Sequence, residues 1–132
     1  MKKIISEQFA INSLLVILSV MVIFHLFVVA GIIPFEIVWG GRLTSQQQML
    51  VFETVSILIN LLMLAATGIK GKFLKLYINP LLLKTIFWVM FGLFLLNTFG
   101  NLLAKNQFET FVFSPLTLML SLFSLRIALS KN

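Results

Sequence analysis

The chain contains no cysteine and no aspartate, and His25 is its only histidine. Without cysteine there are no disulfides, no thiol nucleophile and no thiol-based redox relay. One histidine and four glutamates are a poor ligand set for a transition metal, so no metal site and no cofactor are expected. Charge is scarce as well: charged residues make up 11% of the 132 residues, against about a quarter in a soluble domain.

What fills the chain is apolar. Hydrophobic residues reach 60%, too much for a chain of this length to bury in one water-surrounded core. Lipid as the surrounding solvent removes that difficulty. The net charge of +6 does not point to nucleic acid, because the basic residues stand at the ends of apolar runs rather than in a solvated patch.

Four apolar runs, over about 9–33, 46–69, 80–103 and 107–129, are each near the ~20 residues that cross a bilayer as a helix. The first is too long for a signal-peptide core, and no small-residue cleavage site follows it closely. The expected fold is therefore an all-α integral membrane protein. It is a single domain over residues 1–132: a four-transmembrane-helix antiparallel bundle, N-in/C-in.

Helix ends are readable in places. Ser45 with Gln48 fits a capping box, and Asn79-Pro80 supplies an N-cap followed by proline at the first helical position. Gly68 and Gly71 are stop signals for the second helix. The fourth start is open. Asn106 with Glu109 would cap a helix kinked at Pro115, while Ser114-Pro115 would begin a shorter one; the kinked helix is preferred because it leaves enough residues to span.

Eight of the ten lysines and arginines fall on one side of this topology. Lys2 and Lys3 stand at the start, Lys70, Lys72, Lys75 and Lys84 around the second connection, and Arg126 and Lys131 at the end. Only Arg42 and Lys105 lie on the other side. Cytoplasmic loops carry the excess, so both termini are expected inside, in a bacterial cytoplasmic membrane, and a dual topology is disfavoured. The partner expected first is the bilayer itself, with Lys70, Lys72 and Lys75 on anionic headgroups. A second copy or another membrane protein is a further expected partner; nucleic acid is not.

The outer half gathers what an apolar bundle does not need: Glu36, Glu53, Glu109, His25, Arg42 and Lys105. His25 lies eight residues before Ile33 and Glu53 eight after Ser45, so at ~1.5 Å per residue both sit at equal depth, ~12 Å below the first connection. Asn97 is expected opposite Ser114, and Asn97, Asn101 and Lys105 share one face at i, i+4, i+8. Small polar stripes on helices 2 to 4 would face one another, with Phe and Leu turned to lipid. Trp39 belongs at the interface, Gly40-Gly41 permits a tight turn, and Arg42 offers a charge-assisted donor.

The expected ligand site is thus His25, Glu53, Asn97, Asn101, Arg42, Trp39 and Lys105, with no catalytic residue assigned. The first functional reading is binding or transport of a small molecule or ion through this outer polar layer. Alternatives are an accessory or assembly subunit, which pairs its polar faces with a larger complex, and, more weakly, a lipid- or isoprenoid-modifying enzyme using His25 and Glu53.

Overall fold

The computed structural model describes residues 4–130; Lys2, Lys3 and Lys131 of the charge count lie outside the described residues. Among the described residues every regular element is a helix, with no strand, and four helices are long and apolar enough to cross a membrane. They are α1 (Glu7–Val29), α2 (Gln46–Lys70), α3 (Pro80–Leu102) and α4 (Ser114–Ala128), the last continuous with a π turn over Glu109–Phe113.

Three of the expected caps form. Ser45 Oγ accepts from Gln48 N (3.1 Å) at the start of α2, though Gln48 Oε1 reaches back to Thr44 N (2.8 Å), one residue earlier than a capping box would place it. Asn79 Oδ1 accepts from Leu81 N, with Pro80 behind it at the first helical position. Asn106 Oδ1 accepts from Glu109 N (2.8 Å), so the fourth helix begins before Ser114-Pro115, as preferred. Pro115 has no N–H and its ring crowds the preceding turn. The chain responds by widening there rather than simply bending: Ser114 N bonds Glu109 O, five residues back.

Two helix ends differ from what the apolar runs and their glycines indicate. α1 stops at Val29, four residues short of the expected boundary, because Gly31 takes φ +83°. Gly31 N then bonds Val28 O and Ile32 N bonds Phe27 O, the paired closure of a left-handed helix end. α2 closes the same way, but the left-handed residue is Lys72 (φ +64°), while Gly71 keeps an ordinary φ of −82°. Gly71 is needed for another reason: a Cβ there would stand 2.8 Å from Ile11 Cγ2 on α1.

The helices run antiparallel. His25 meets Glu53 while Ile11 meets Gly71, and Phe9 packs on Phe123 while Phe24 packs on Phe113. Thr98 meets Thr117 while Ser121 Oγ donates to Phe91 O. Both chain ends and the connection between α2 and α3 therefore share one end of the bundle, and the other two connections share the opposite end. α4 is the central helix, with 56% of its most apolar window buried, against 22%, 22% and 28% for α1, α2 and α3.

The end that holds the termini is closely packed around Leu14, Leu18, Met63, Phe87, Met90 and Phe123. Phe87, Phe94, Phe113 and Phe123 all turn inward, which corrects the expectation that phenylalanines face outward. Two of the basic residues here are engaged within the fold. Arg126 is buried, donating through Nε to Ile5 O and through a terminal nitrogen to Ser130 Oγ, each at 2.7 Å. Lys70 reaches Glu7 at 3.6 Å, so of the three lysines expected on headgroups only Lys72 and Lys75 are fully exposed.

Candidate functional site

At the other end, Val28, Val38, Leu43, Met49 and Phe113 form a second, smaller apolar cluster. It seats the connection from α1 to α2 across the end of the bundle. Asn106 Nδ2 donates to Glu36 O (3.1 Å), and Gly41 (φ +74°) lies so close to the α3–α4 turn that a Cβ would sit 3.2 Å from Lys105 Cβ. Only glycine combines that φ with that approach. Trp39 also takes a positive φ, +54°, which turns its indole against Phe52 with ring centroids 5.0 Å apart. The connection is thus a roof pinned to the α3–α4 turn.

Beneath this roof lies a cavity of about 430 Å³. All four helices and the roof line it, and of the seven expected site residues His25, Trp39, Arg42, Asn97 and Asn101 are in its walls. Ser56, Asn60, Thr117 and the bonded carboxylate of Glu109 add polarity, while Met21, Phe94, Phe113 and Leu120 form apolar walls. Such mixed walls and a volume between about 300 and 1,000 Å³ are what small-molecule sites share.

Glu53 stands one layer behind the wall. It is fully buried, His25 Nδ1 bonds its Oε2, and its Oε1 has no partner among the described residues. Counting residues from the two ends of the first connection therefore places these two side chains correctly. With Nδ1 committed to Glu53, Nε2 is the ring nitrogen left for the cavity that His25 lines.

Lys105 is not in the wall. α3 ends at Leu102, so the helical register that would carry Asn97 and Asn101 on to Lys105 breaks first. The pairing of Asn97 with Ser114 does not form either. The π turn holds an extra residue, which rotates Ser114 onto its own helix (Oγ to Glu109 O, 3.4 Å) and brings Thr117 to α3 instead. Thr117 Oγ1 lies 2.9 Å from Thr98 Oγ1 and 3.3 Å from Asn101 Nδ2. Asn97 is left exposed in the cavity wall, with no hydrogen bond to any described residue. Arg42 likewise has no carboxylate within 4.0 Å among the described residues.

Asn60 and Ser56 follow Glu53 along one face of α2, and that spacing alone could have added them to the site. Met21, Phe94, Phe113 and Leu120 carried no such signal, because an apolar residue inside an apolar run marks nothing. The fold and site together define a chain of four helices, each long and apolar enough to cross a membrane, with a roofed polar cavity at one end. Searches of known protein families, of curated proteins and of solved structures find no match to it.

Proposed function

We propose that this chain is a four-span integral membrane protein of a bacterial cytoplasmic membrane and that it binds or transports a small molecule or ion through the roofed cavity. The surface supports the membrane part. Leu62, Leu81 and Leu96 are each about 70% exposed, and such side chains form broad apolar faces that water does not tolerate. The exposed hydroxyls of Ser19, Thr54 and Thr85 each donate to the carbonyl one turn back, so none of these three presents lipid with an unsatisfied donor. Charge bias supports the lysine-rich end as the cytoplasmic one, with both termini inside and the cavity in the outer half. Lys72 and Lys75 on that inner side meet anionic headgroups.

The observation that carries the binding reading is the cavity itself, with the side-chain donors of Arg42 and Asn97 in its wall and engaged by no described residue. Polar groups in a membrane bundle are expensive unless they meet a partner. The accessory-subunit alternative has less to stand on, since the Thr98, Thr117 and Ser121 stripe is consumed between α3 and α4. The enzyme alternative has less support, since His25 and Glu53 are bonded to each other.

Purified protein in lipid nanodiscs, screened by thermal shift against small anions, metabolites and amphipaths, tests the reading. A ligand that raises the melting temperature of the natural chain should lose that effect, at least tenfold in affinity, in Asn97→Leu and Glu53→Gln variants that still insert and remain monodisperse. Unchanged binding in both variants would place the site elsewhere.

A further inference from the structure

The cavity has one open side. The α1–α2 seam beside it is closed by the His25–Glu53 bond, and the α1–α4 seam by Phe24 edge-on to Phe113, with centroids 5.2 Å apart. The α3–α4 seam is closed by the Thr98, Thr117 and Asn101 hydroxyl and amide contacts. The end of the bundle is covered by the roof that Asn106 pins. Between α2 and α3 no side-chain hydrogen bond joins the described residues, and these two helices touch less than any other neighbouring pair. Leu96, Asn97 and Gly100 are exposed there, and a Cβ built on Gly100 meets nothing within 4 Å.

The chemistry along this side is mixed. The Arg42 guanidinium and the Asn97 amide stand in it, neither of them engaged by a described residue. Phe94, Leu96 and Leu120 give it apolar surface, and Ser56 and Asn60 add a hydroxyl and an amide. A free inorganic ion has no use for the apolar part of this wall. Nor does a water-soluble solute need an entrance that faces the hydrocarbon.

We infer that the ligand of this cavity is an amphipath of the outer leaflet, an anionic head group on an apolar chain, which enters sideways between α2 and α3. It rests on the reading of the cavity as a binding site. The head group takes the charge-assisted donors of Arg42 and the amide of Asn97, while the chain lies over Leu96 and Gly100 and leaves through the seam. The head is thereby drawn into a desolvated site without ever leaving the membrane plane.

The test uses the whole chain in nanodiscs of phosphatidylethanolamine and phosphatidylglycerol, with hexadecanoic acid carrying a photoactivatable diazirine as the probe. Cross-linked positions are mapped by mass spectrometry. Labelling around Ser56, Asn60 and Leu96 should exceed labelling around Leu62, on the outer face of α2, by several fold. Gly100→Trp, which fills the open space, should cut the seam signal at least fivefold and leave the Leu62 signal unchanged. Gly100→Leu should act in the same direction should the larger side chain disturb folding, and Arg42→Gln should weaken labelling through the head group. Uniform labelling of all lipid-facing positions, insensitive to both Gly100 variants, overturns the inference. Inorganic phosphate or acetate that binds in the thermal-shift assay, with no seam labelling, also overturns it while leaving the cavity as a binding site; no binding of either kind removes both.

Discussion

The two ends of this bundle are built from the same four helices and solve opposite problems. At the end holding the termini, Leu14, Leu18, Phe87 and Met90 interlock, and Gly71 lets α2 come against Ile11 on α1. At the roofed end the helices part around a cavity of about 430 Å³, and polar groups replace the interlocking side chains. The difference shows where rigidity is located. On the proposed reading of the chain as a membrane protein, lipid gives no hydrophobic gain from bringing helices together, so packing and interhelical hydrogen bonds hold them. The packed end supplies the first, and its closure leaves the roofed end free to stay open.

The contrast breaks most sharply at the buried pair. His25→Leu strands the Glu53 carboxylate without its one described partner and should destabilise the fold by about 3–5 kcal/mol, measured by detergent-titration unfolding. The double variant His25→Leu/Glu53→Leu should regain most of that loss, because no buried charge remains. A pair that matters only as packing would show additive losses instead.

Glycines sharpen the same comparison through opposite signs. Gly71→Ala at the packed end forces a Cβ onto Ile11 and should cost about 1–3 kcal/mol. Gly100→Ala at the open end meets no atom within 4 Å and replaces a helical glycine, so it should stabilise by about 0.5–1 kcal/mol. Thermal unfolding of both variants in the same detergent reads the two signs directly. Between these in scale, Thr117→Val removes the hydroxyl shared by Thr98 and Asn101 and should cost about 1 kcal/mol, with α3–α4 separation as its structural effect.

Much of the frame was readable in the residues. Four apolar runs of spanning length gave four helices, and Asn79-Pro80 and Asn106 marked two helix starts because their caps act within three residues of chain. His25 and Glu53 were found by counting, since a hairpin of regular helices keeps equal depth from its turn. Counting failed where regularity failed. Gly31 ended α1 early, the end of α3 at Leu102 dropped Lys105 from the face it was to share, and the π turn before Pro115 moved the α3 contact from Ser114 to Thr117. The opening between α2 and α3 depends on how four faces pack at once, and no local pattern encodes it.

One measurement bears most directly on the central contrast between a closed half and an open cavity, and on the proposed outward placement of that cavity. The chain has no cysteine, so single cysteines at Asn97, Asn101, Leu14 and Phe87 can be read without background. Intact cells are treated with a thiosulfonate reagent that carries an alkyl chain, which enters the outer leaflet, and a sulfonate head, which keeps it from crossing. Positions 97 and 101 should react at least tenfold faster than 14 and 87, and excess reagent should leave the latter two unmodified. Equal reactivity at all four, or reaction at 97 and 101 only after the cells are broken open, would contradict the cavity or its orientation.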